Sequence, residues 1–291
     1  MRLDDLGERG LIAELERRGL AGPIGDDTAL LDDGTVVTLD TMVENIHFRL
    51  EWTSWRDVGY KLGAINLSDL AAAAATPTAF VIGLAIPGST ALADILELYE
   101  GLNEHGVPVR GGDTVASPCV VLTATALGRS IRVPSRAGAR PGDVVVVTGP
   151  LGASAAGLHV LEHDIAGADD LISVHRRPPV RLAEGQRLGS IATAMADLSD
   201  GLAIDAAHIA AQSGCRIEIA AEDVPIAGGL ERAGDAPFWA MGEDYELLAT
   251  VPEDAADALE FPLIGRCIEG SGVEITRAGR KLELPGWEHF R

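Results

Sequence analysis

The stretch Val133-Pro134-Ser135-Arg136-Ala137-Gly138-Ala139-Arg140-Pro141-Gly142 divides this sequence into two halves. It contains two prolines and two glycines and precedes the apolar run 144–147, a pattern typical of a linker followed by a buried strand. A chain of 291 residues with 47% hydrophobic residues can bury two ordinary cores. We therefore predict an N-terminal domain over residues 1–134 and a C-terminal domain over residues 135–291.

Each half alternates between helical and strand-like periodicity. The first half predicts helices over 5–18, 54–75 and 90–105 and strands over 29–31, 35–43, 80–86 and 119–127. The second half predicts helices near 153–161, 180–188 and 202–212 and strands over 144–147, 193–198, 215–219 and 245–251. Such alternation predicts layered α/β (α+β) structure in both domains.

Composition excludes several classes of partner. The formal net charge of −21 and the pI near 4.6 leave no basic stripe for nucleic acid or an anionic membrane. Three dispersed cysteines without a Cys-x-x-Cys pair favour a reducing cytosol and exclude a thiolate zinc site. The charged N-terminus and the broken apolar stretch 70–87 predict neither a signal peptide nor a membrane span. We expect a soluble, cytoplasmic protein.

Short acidic segments flanked by Gly, Ser or Thr recur along the chain. They are Gly25-Asp26-Asp27-Thr28, Thr38-Leu39-Asp40-Thr41, Asn66-Leu67-Ser68-Asp69, Gly111-Gly112-Asp113-Thr114, Asp197-Leu198-Ser199-Asp200-Gly201 and Gly242-Glu243-Asp244-Tyr245-Glu246. Hard oxygen ligands from distant parts of a chain are what a group of Mg²⁺ ions around a polyphosphate requires. The pattern favours a metal-dependent phosphate-transfer enzyme.

Taken singly, most of these aspartates are better explained as helix caps or turn residues. Asp69 is an exception, because a carboxylate on an Ala-rich apolar helix is costly to bury without a cation. In Gly111-Gly112-Asp113-Thr114, the paired glycines would turn two backbone amides toward a phosphate. Ser199 or Asp200 would cap the following helix, whose N-terminus would also suit a metal-phosphate unit.

Other features are weaker or negative. The acidic segments lack the Asp-x-Asp-x-Asp-Gly spacing of an EF-hand, so a calcium-binding module is a poor second hypothesis. No Gly-x-x-x-x-Gly-Lys loop occurs, and Lys61 and Lys281 are the only lysines. We expect that Lys61 is not a phosphate ligand. His47 and Trp287 would by themselves be read as core residues.

Seven segments in order resemble those of the thiamine-monophosphate kinase family, and the resemblance covers nearly the whole chain. The segments are 25–29, 40–48, 66–72, 111–114, 197–202, 242–247 and 286–290. The family lies within the superfamily of aminoimidazole ribonucleotide synthetase and selenophosphate synthetase. Two departures are visible: Asn45 replaces a usual Gly, and Ala73-Ala74 replaces a common Met-Gly pair.

The resemblance implies a two-domain aminoimidazole ribonucleotide synthetase-like fold, with the N-terminal sheet forming a barrel across a homodimer. It implies Mg²⁺-dependent phosphoryl transfer from ATP to thiamine monophosphate, giving ADP and thiamine diphosphate. The implied metal ligands are Asp27, Thr38, Asp40, Asp69, Asp113, Asp197 and Asp200. The implied ATP contacts are Gly112, Asp113, Arg136 and Ser199, and the implied thiamine monophosphate contacts are His47, Glu243 and Trp287.

Two rival functions remain at this point. Selenophosphate synthesis resembles the same framework, but it uses an N-terminal cysteine or selenocysteine and a nearby lysine. Here the first cysteine is Cys119 and the first lysine is Lys61, which counts against that activity. The other rival is a non-catalytic dimer that binds divalent ions.

Overall fold

The computed structural model describes residues 2–22, 24–256 and 258–285, and these residues form two sheets. The first has five strands in the order β1-β2-β5-β3-β4, and the second has seven in the order β12-β11-β8-β10-β6-β9-β7. The segment 130–142 connects them. Each sheet contains one parallel neighbour pair, β3 with β4 and β8 with β11, among antiparallel ones. Layered α/β structure is thereby confirmed.

The first half contains three helices around its sheet. The elements are α1 (Leu3–Arg17), β1 (Ala29–Leu30), β2 (Thr35–Val43), α2 (Trp55–Ala72), β3 (Thr76–Ile86), α3 (Leu92–Asn103), β4 (Val109–Ala116) and β5 (Val121–Arg129). The predicted bounds of β2 agree with the structure, and Ser54 caps α2 as expected by accepting from the Asp57 amide at 3.1 Å.

The second half repeats the layered arrangement with shorter elements. They are β6 (Asp143–Val147), α4 (Ala153–His163), α5 (Asp169–Arg176), α6 (Leu182–Gly189), β7 (Ala194–Asp197), α7 (Leu202–Ser213), β8 (Arg216–Ala220), β9 (Leu247–Pro252), α8 (Glu253–Ala256), β10 (Leu263–Ile268), β11 (Gly272–Arg277) and β12 (Arg280–Lys281). Two 3₁₀ turns lie at Leu230–Arg232 and Phe238–Ala240.

Helix α2 joins the two halves. It packs on the inner face of the first sheet and against α3, and it also contacts α6 and β7 of the second half. Small residues allow these contacts: a Cβ on Gly185 of α6 would lie 2.2 Å from the Ala71 carbonyl oxygen. Polar residues of α2 therefore lie between the two sheets, where both halves can contribute ligands.

The outer face of the first sheet exposes apolar side chains. Leu39, Val81 and Val115 are 60%, 39% and 51% exposed, whereas the inner-face residues Val36, Ile82 and Leu122 are buried. Alternation of this kind is expected for a sheet that covers a core on one face. Among the described helices, none combines the length and apolarity that crossing a bilayer requires.

One strand was not predicted from the sequence. Gly111-Gly112-Asp113-Thr114 is part of β4, an edge strand that pairs only with β3 among the described residues. Gly112 permits this pairing, because a Cβ there would lie 2.0 Å from the Ile82 carbonyl oxygen. Two adjacent glycines normally indicate a turn, and this close approach of two backbones is the exception.

Candidate functional site

Three carboxylates from distant segments converge between the two sheets. Asp27 precedes β1, Asp69 lies near the end of α2, and Asp197 ends β7. One oxygen from each lies within 4.8 Å of the others. Asp197 is 2% exposed and accepts from the Ser68 hydroxyl at 2.7 Å. The expected convergence of these three predicted metal ligands is present.

Thr38 and Asp40 on β2 extend this group, which we call the carboxylate cluster (Asp27, Asp40, Asp69 and Asp197). The Thr38 hydroxyl donates to Asp69 Oδ2 at 2.5 Å. Asp40 lies close enough to hydrogen-bond with Asp69 and to interact electrostatically with Asp27. Because successive side chains of β2 point to opposite faces of the sheet, Thr38 and Asp40 share the inner face that meets α2.

Burial and mutual repulsion disfavour the ionised forms of these carboxylates. Burial, with the charge of Asp27, raises the pKa of Asp197 to about 8. Burial also raises the pKa of Asp40 to about 6. The pKa of Asp69 lies well above its usual value because burial and the charge of Asp40 both oppose ionisation. The cluster is thus short of positive charge.

Arg136 supplies a cation at one side of the cluster. Its guanidinium pairs with Asp27 through Nη2, and its backbone amide donates to Asp26 at 2.6 Å. Its Nη1 lies 3.3 Å from His208 Nδ1 on α7. Burial still raises the pKa of Asp27 despite the opposing charge of Arg136. The predicted ATP contact Arg136 therefore lies beside a predicted metal ligand.

The loop after β7 is held from inside the following helix. We expected Ser199 or Asp200 to cap α7, but the N-cap residue is Gly201, which has a φ of 112° and no side-chain cap. Asp205 instead accepts from the backbone amides of Asp200 and Gly201 at 3.2 and 3.0 Å. Asp205 is 1% exposed, and its Oδ1 has no hydrogen-bond partner among the described residues.

Glu243 lies in a strained segment that faces this loop. Gly242, Glu243 and Tyr245 have φ values of 93°, 57° and 52°. Positive φ is uncommon for residues with a Cβ and often marks functional positions. The Glu243 amide donates to the Ser199 carbonyl at 2.8 Å, and the Tyr245 amide to Leu198 at 2.9 Å. These bonds fix Glu243 next to the β7–α7 loop.

Two buried basic side chains contact the Glu243 carboxylate. Lys61 Nζ on α2 lies 2.9 Å from Oε1, and His175 Nδ1 on α5 lies 3.3 Å from Oε2. Although burial opposes ionisation, the charge of Lys61 and the hydrogen bond with His175 outweigh it and lower the pKa of Glu243 to about 2. Glu243 is ionised at neutral pH.

The other two carboxylates of the segment 242–246 make hydrogen bonds and an ion pair within the protein. Asp244 accepts from the Gly152 amide at 2.7 Å, which fills the glycine-rich turn before α4. Glu246 binds Arg181 through both carboxylate oxygens, at 2.7 and 2.5 Å, and also accepts from Thr148. Neither Asp244 nor Glu246 was predicted to bind a ligand.

Asp113 lies apart from the carboxylate cluster. In the sheet register Asp40 aligns with Ala124, Ile82 and Gly112, whereas Asp113 aligns with Gly83, Thr123 and Thr41. Cross-strand partners share a face, so Asp113 lies on the outer face and Asp40 on the inner one. The assignments of Gly112 and Asp113 stay predictions.

The remaining predicted residues lie at separate places. His47 follows β2 in a turn, where its Nδ1 accepts from the Val43 amide at 3.0 Å. Asp200 and Ser199 lie in the β7–α7 loop and are half-buried. Trp287 lies outside the described residues, and its role stays a prediction.

Three residues at the site were missed by the sequence interpretation. They are Asp205, Lys61 and His175. Lys61 and Asp205 share the feature that identified Asp69, a charge on an otherwise apolar helix. No local pattern marks His175, because its contacts come from segments 21 and 68 residues away.

The cluster fits divalent cations. Its donors are carboxylate and hydroxyl oxygens, which hard cations such as Mg²⁺ prefer. The raised pKa values of Asp40, Asp69 and Asp197 are the result expected when carboxylates crowd together without enough positive charge. One guanidinium cannot balance four such groups.

The fold and the site together define the class of protein to which this chain belongs. Family models described as the N-terminal and C-terminal domains of AIR synthase related proteins match residues 25–130 and 140–263. The chain thus has the two-domain α/β fold of this superfamily, as the sequence predicts.

Full-length relatives narrow the class to one family. The thiamine-monophosphate kinase of Aquifex aeolicus is 35% identical over 100% of both chains. That of Bacillus subtilis is 38% identical over 92% of this chain and 93% of its own. The solved structure of AaThiL with AMPPCP and TMP has a TM-score of 0.92 at 34% identity and covers 99% of both chains. This chain belongs to the thiamine-monophosphate kinase family.

Proposed function

We propose that this chain transfers a phosphoryl group directly from ATP to thiamine monophosphate, giving ADP and thiamine diphosphate. The observation that carries the proposal is the convergence of three carboxylates from segments 42 and 128 residues apart, in a chain of this family. The names of the relatives and the ligands of the AaThiL structure support the choice of substrates.

The carboxylate cluster, Thr38 and Asp200 would hold Mg²⁺. Asp113, on the outer face of the first sheet, would bind Mg²⁺ at the site of a second copy of the chain. When bound, Mg²⁺ supplies the positive charge that screens the ATP phosphates from the acceptor phosphate. That screening matters here because the chain itself carries a formal net charge of −21.

The acceptor phosphate needs no general base from the protein. A phosphate monoester with a second pKa of about 6 is mostly dianionic near neutrality and is already nucleophilic. The side chains of the site therefore bind and orient. Gly112, Asp113, Arg136 and Ser199 would contact ATP, and His47, Glu243 and Trp287 would contact thiamine monophosphate.

We also propose that two copies associate through the outer face of the first sheet. The apolar side chains of Leu39, Val81 and Val115 lie exposed there and would be buried in a barrel formed by two such sheets. Introducing a charge in Leu39→Glu should yield monomers in sedimentation velocity, whereas Leu92→Glu, a matched change on exposed α3, should not. Dimers of Leu39→Glu as stable as wild type would exclude this face.

Acceptor choice tests the proposed reaction. ADP release should require an acceptor that carries a phosphate. Turnover with thiamine monophosphate should therefore exceed turnover with thiamine by far more than about tenfold, which corresponds to ~1.4 kcal/mol of activation free energy. Equal turnover with both acceptors would assign a hydroxyl kinase. Metal-dependent stabilisation without ADP release would leave the non-catalytic ion-binding dimer.

A further inference from the structure

Lys61 is a buried charge within an apolar helix. Its side chain is 6% exposed, and its neighbours on α2, Leu62, Gly63 and Ala64, are buried. A lysine buried in this way needs a compensating partner. The partner is Glu243, at 2.9 Å from Nζ, which comes from the other half of the chain, 182 residues away. The pair is thus a contact of tertiary structure.

His175 takes the second oxygen of the same carboxylate. Its Nδ1 lies 3.3 Å from Glu243 Oε2 and 3.2 Å from the Ser154 hydroxyl on α4. Burial, together with the charge of Lys61, lowers the pKa of His175, so the ring is neutral near pH 7. A neutral ring with its proton on Nδ1 donates to Glu243.

The backbone at Glu243 is strained. Its φ of 57° is a conformation that residues with a Cβ rarely adopt, and the surrounding hydrogen bonds maintain it. The contacts of Lys61 and His175 with the carboxylate, together with the hydrogen-bonded backbone, hold the carboxylate in one orientation. Its side chain is nevertheless 30% exposed, so the outward lone pairs can reach a ligand.

We propose that Lys61 and His175 are positioning residues that orient Glu243 toward a neutral N–H donor of the substrate. This proposal rests on the proposed function, in which Glu243 contacts thiamine monophosphate. The negative charge of Glu243 is already balanced by Lys61. A cationic ring would therefore gain little there, whereas an amino group would gain a directed, charge-assisted hydrogen bond. The aminopyrimidine of thiamine provides such a donor, and its thiazolium ring does not.

The test begins with the two lysines of the chain. Lys61→Met should raise the KM for thiamine monophosphate about tenfold, with the KM for ATP within about twofold of wild type. Lys61→Arg should restore part of the loss, because it keeps the charge. The matched control Lys281→Met, on exposed β12, should change neither constant.

A double-mutant cycle separates positioning from general destabilisation. If Lys61 acts through Glu243, then Lys61→Met/Glu243→Gln should have the same KM as Glu243→Gln within about twofold. Multiplication of the two single effects would overturn the proposal. The double variant also removes both charges of the pair, so it should fold even where Lys61→Met does not.

A substrate analogue tests the donor. Replacing the pyrimidine amino group of thiamine monophosphate by a carbonyl should raise KM at least about tenfold in wild type and much less in Glu243→Gln. Equal penalties in both proteins would overturn the assignment of the donor. Absence of turnover by the wild-type protein would instead reject the proposed function, so the two failures are distinguishable.

Discussion

At the residue scale, the carboxylates of Asp27, Asp69 and Asp197 repel one another wherever no cation separates them. The pKa of Asp197, raised to about 8 by burial and the charge of Asp27, means that the folded protein binds more protons than the unfolded chain below that pH. The free energy of unfolding should consequently fall as pH rises through this range.

Buried histidines act in the opposite direction, but only at lower pH. Burial lowers the pKa of His208 to about 4 and also lowers that of His175. The contributions of these histidines to the free energy of unfolding therefore rise with pH up to the ordinary histidine pKa of about 6.5 and are constant above it. The lowered pKa of Glu243 likewise has its effect below pH 5. Buried carboxylates with raised pKa values, those of the carboxylate cluster together with Asp205 and Asp244, therefore dominate between pH 6.5 and 8.

We predict that the Tm of the metal-free protein falls between pH 6.5 and pH 8 and that Mg²⁺ raises Tm more at pH 8. Differential scanning calorimetry with EDTA or excess Mg²⁺ measures both effects. Asp197→Asn should weaken the pH dependence, whereas Asp235→Asn, an exposed control, should not. A Mg²⁺-induced shift that is larger at pH 6.5 would contradict this account of the cluster.

Single residues of the site were predictable to different degrees. Asp69 was identified because a carboxylate among alanines on a helix needs a partner. Glu243 was found only through the family resemblance, since its strained backbone and its contacts with Lys61 and His175 depend on tertiary structure. A sequence shows which residues carry charge, but contacts over more than 100 residues require the fold.

At the element scale, the C-terminus of α2 contains a residue in an unfavourable conformation. The Ala75 amide bonds to the Leu70 carbonyl, and Ala74, with a φ of 50°, occupies the position where such helix ends favour glycine. Asn45, with a φ of 65°, also lies in the left-handed region that favours glycine, although Asn tolerates this region better than Ala does. Both departures from the family pattern thus fall where glycine is conformationally preferred.

Ala74→Gly should therefore stabilise the protein by ~0.5–1 kcal/mol, because relief of left-handed strain exceeds the extra entropy of the unfolded chain. The neighbouring Ala73→Gly, at a φ of −84°, should destabilise by ~0.5–1 kcal/mol. Urea denaturation of the two variants measures the contrast. A loss of stability in Ala74→Gly would show that packing of its methyl group outweighs backbone strain.

Elements with strong local signals were predicted well, and those with mixed signals were not. β2 alternates and α2 begins at a Ser cap, so both were located within a few residues. β4 was missed because its glycines serve close strand pairing, and α5 and β10–β12 were missed because short elements carry little periodicity. Strand order and the pairing of β8 with β11 depend on contacts that no local pattern contains.

At the scale of the whole molecule, the position of Asp113 bears on how a dimer would work. Asp113 and Val115 lie on the outer face of the first sheet, away from the carboxylate cluster of the same chain. In a dimer formed through that face, Asp113 would serve the site of the other subunit. Each subunit would then need its partner for a complete ligand set.

Mixed dimers test this arrangement. Asp40→Asn and Asp113→Asn should each abolish turnover while leaving the fold intact. After unfolding and refolding of an equal mixture, random pairing should restore about a quarter of wild-type turnover, since half of the dimers contain one intact site. No recovery, with mixed dimers verified by differential tagging, would place Asp113 in the site of its own chain, and full activity of Asp113→Asn alone would place it outside any site.

Direct phosphoryl transfer is tested most sharply by following ADP and thiamine diphosphate together in one reaction of the wild-type protein with ATP and thiamine monophosphate. We predict that both products form in equal amounts, that neither forms when Mg²⁺ is chelated, and that ADP does not accumulate without thiamine monophosphate. Formation of ADP without thiamine diphosphate, or equal rates with and without Mg²⁺, would contradict direct phosphoryl transfer at the carboxylate cluster.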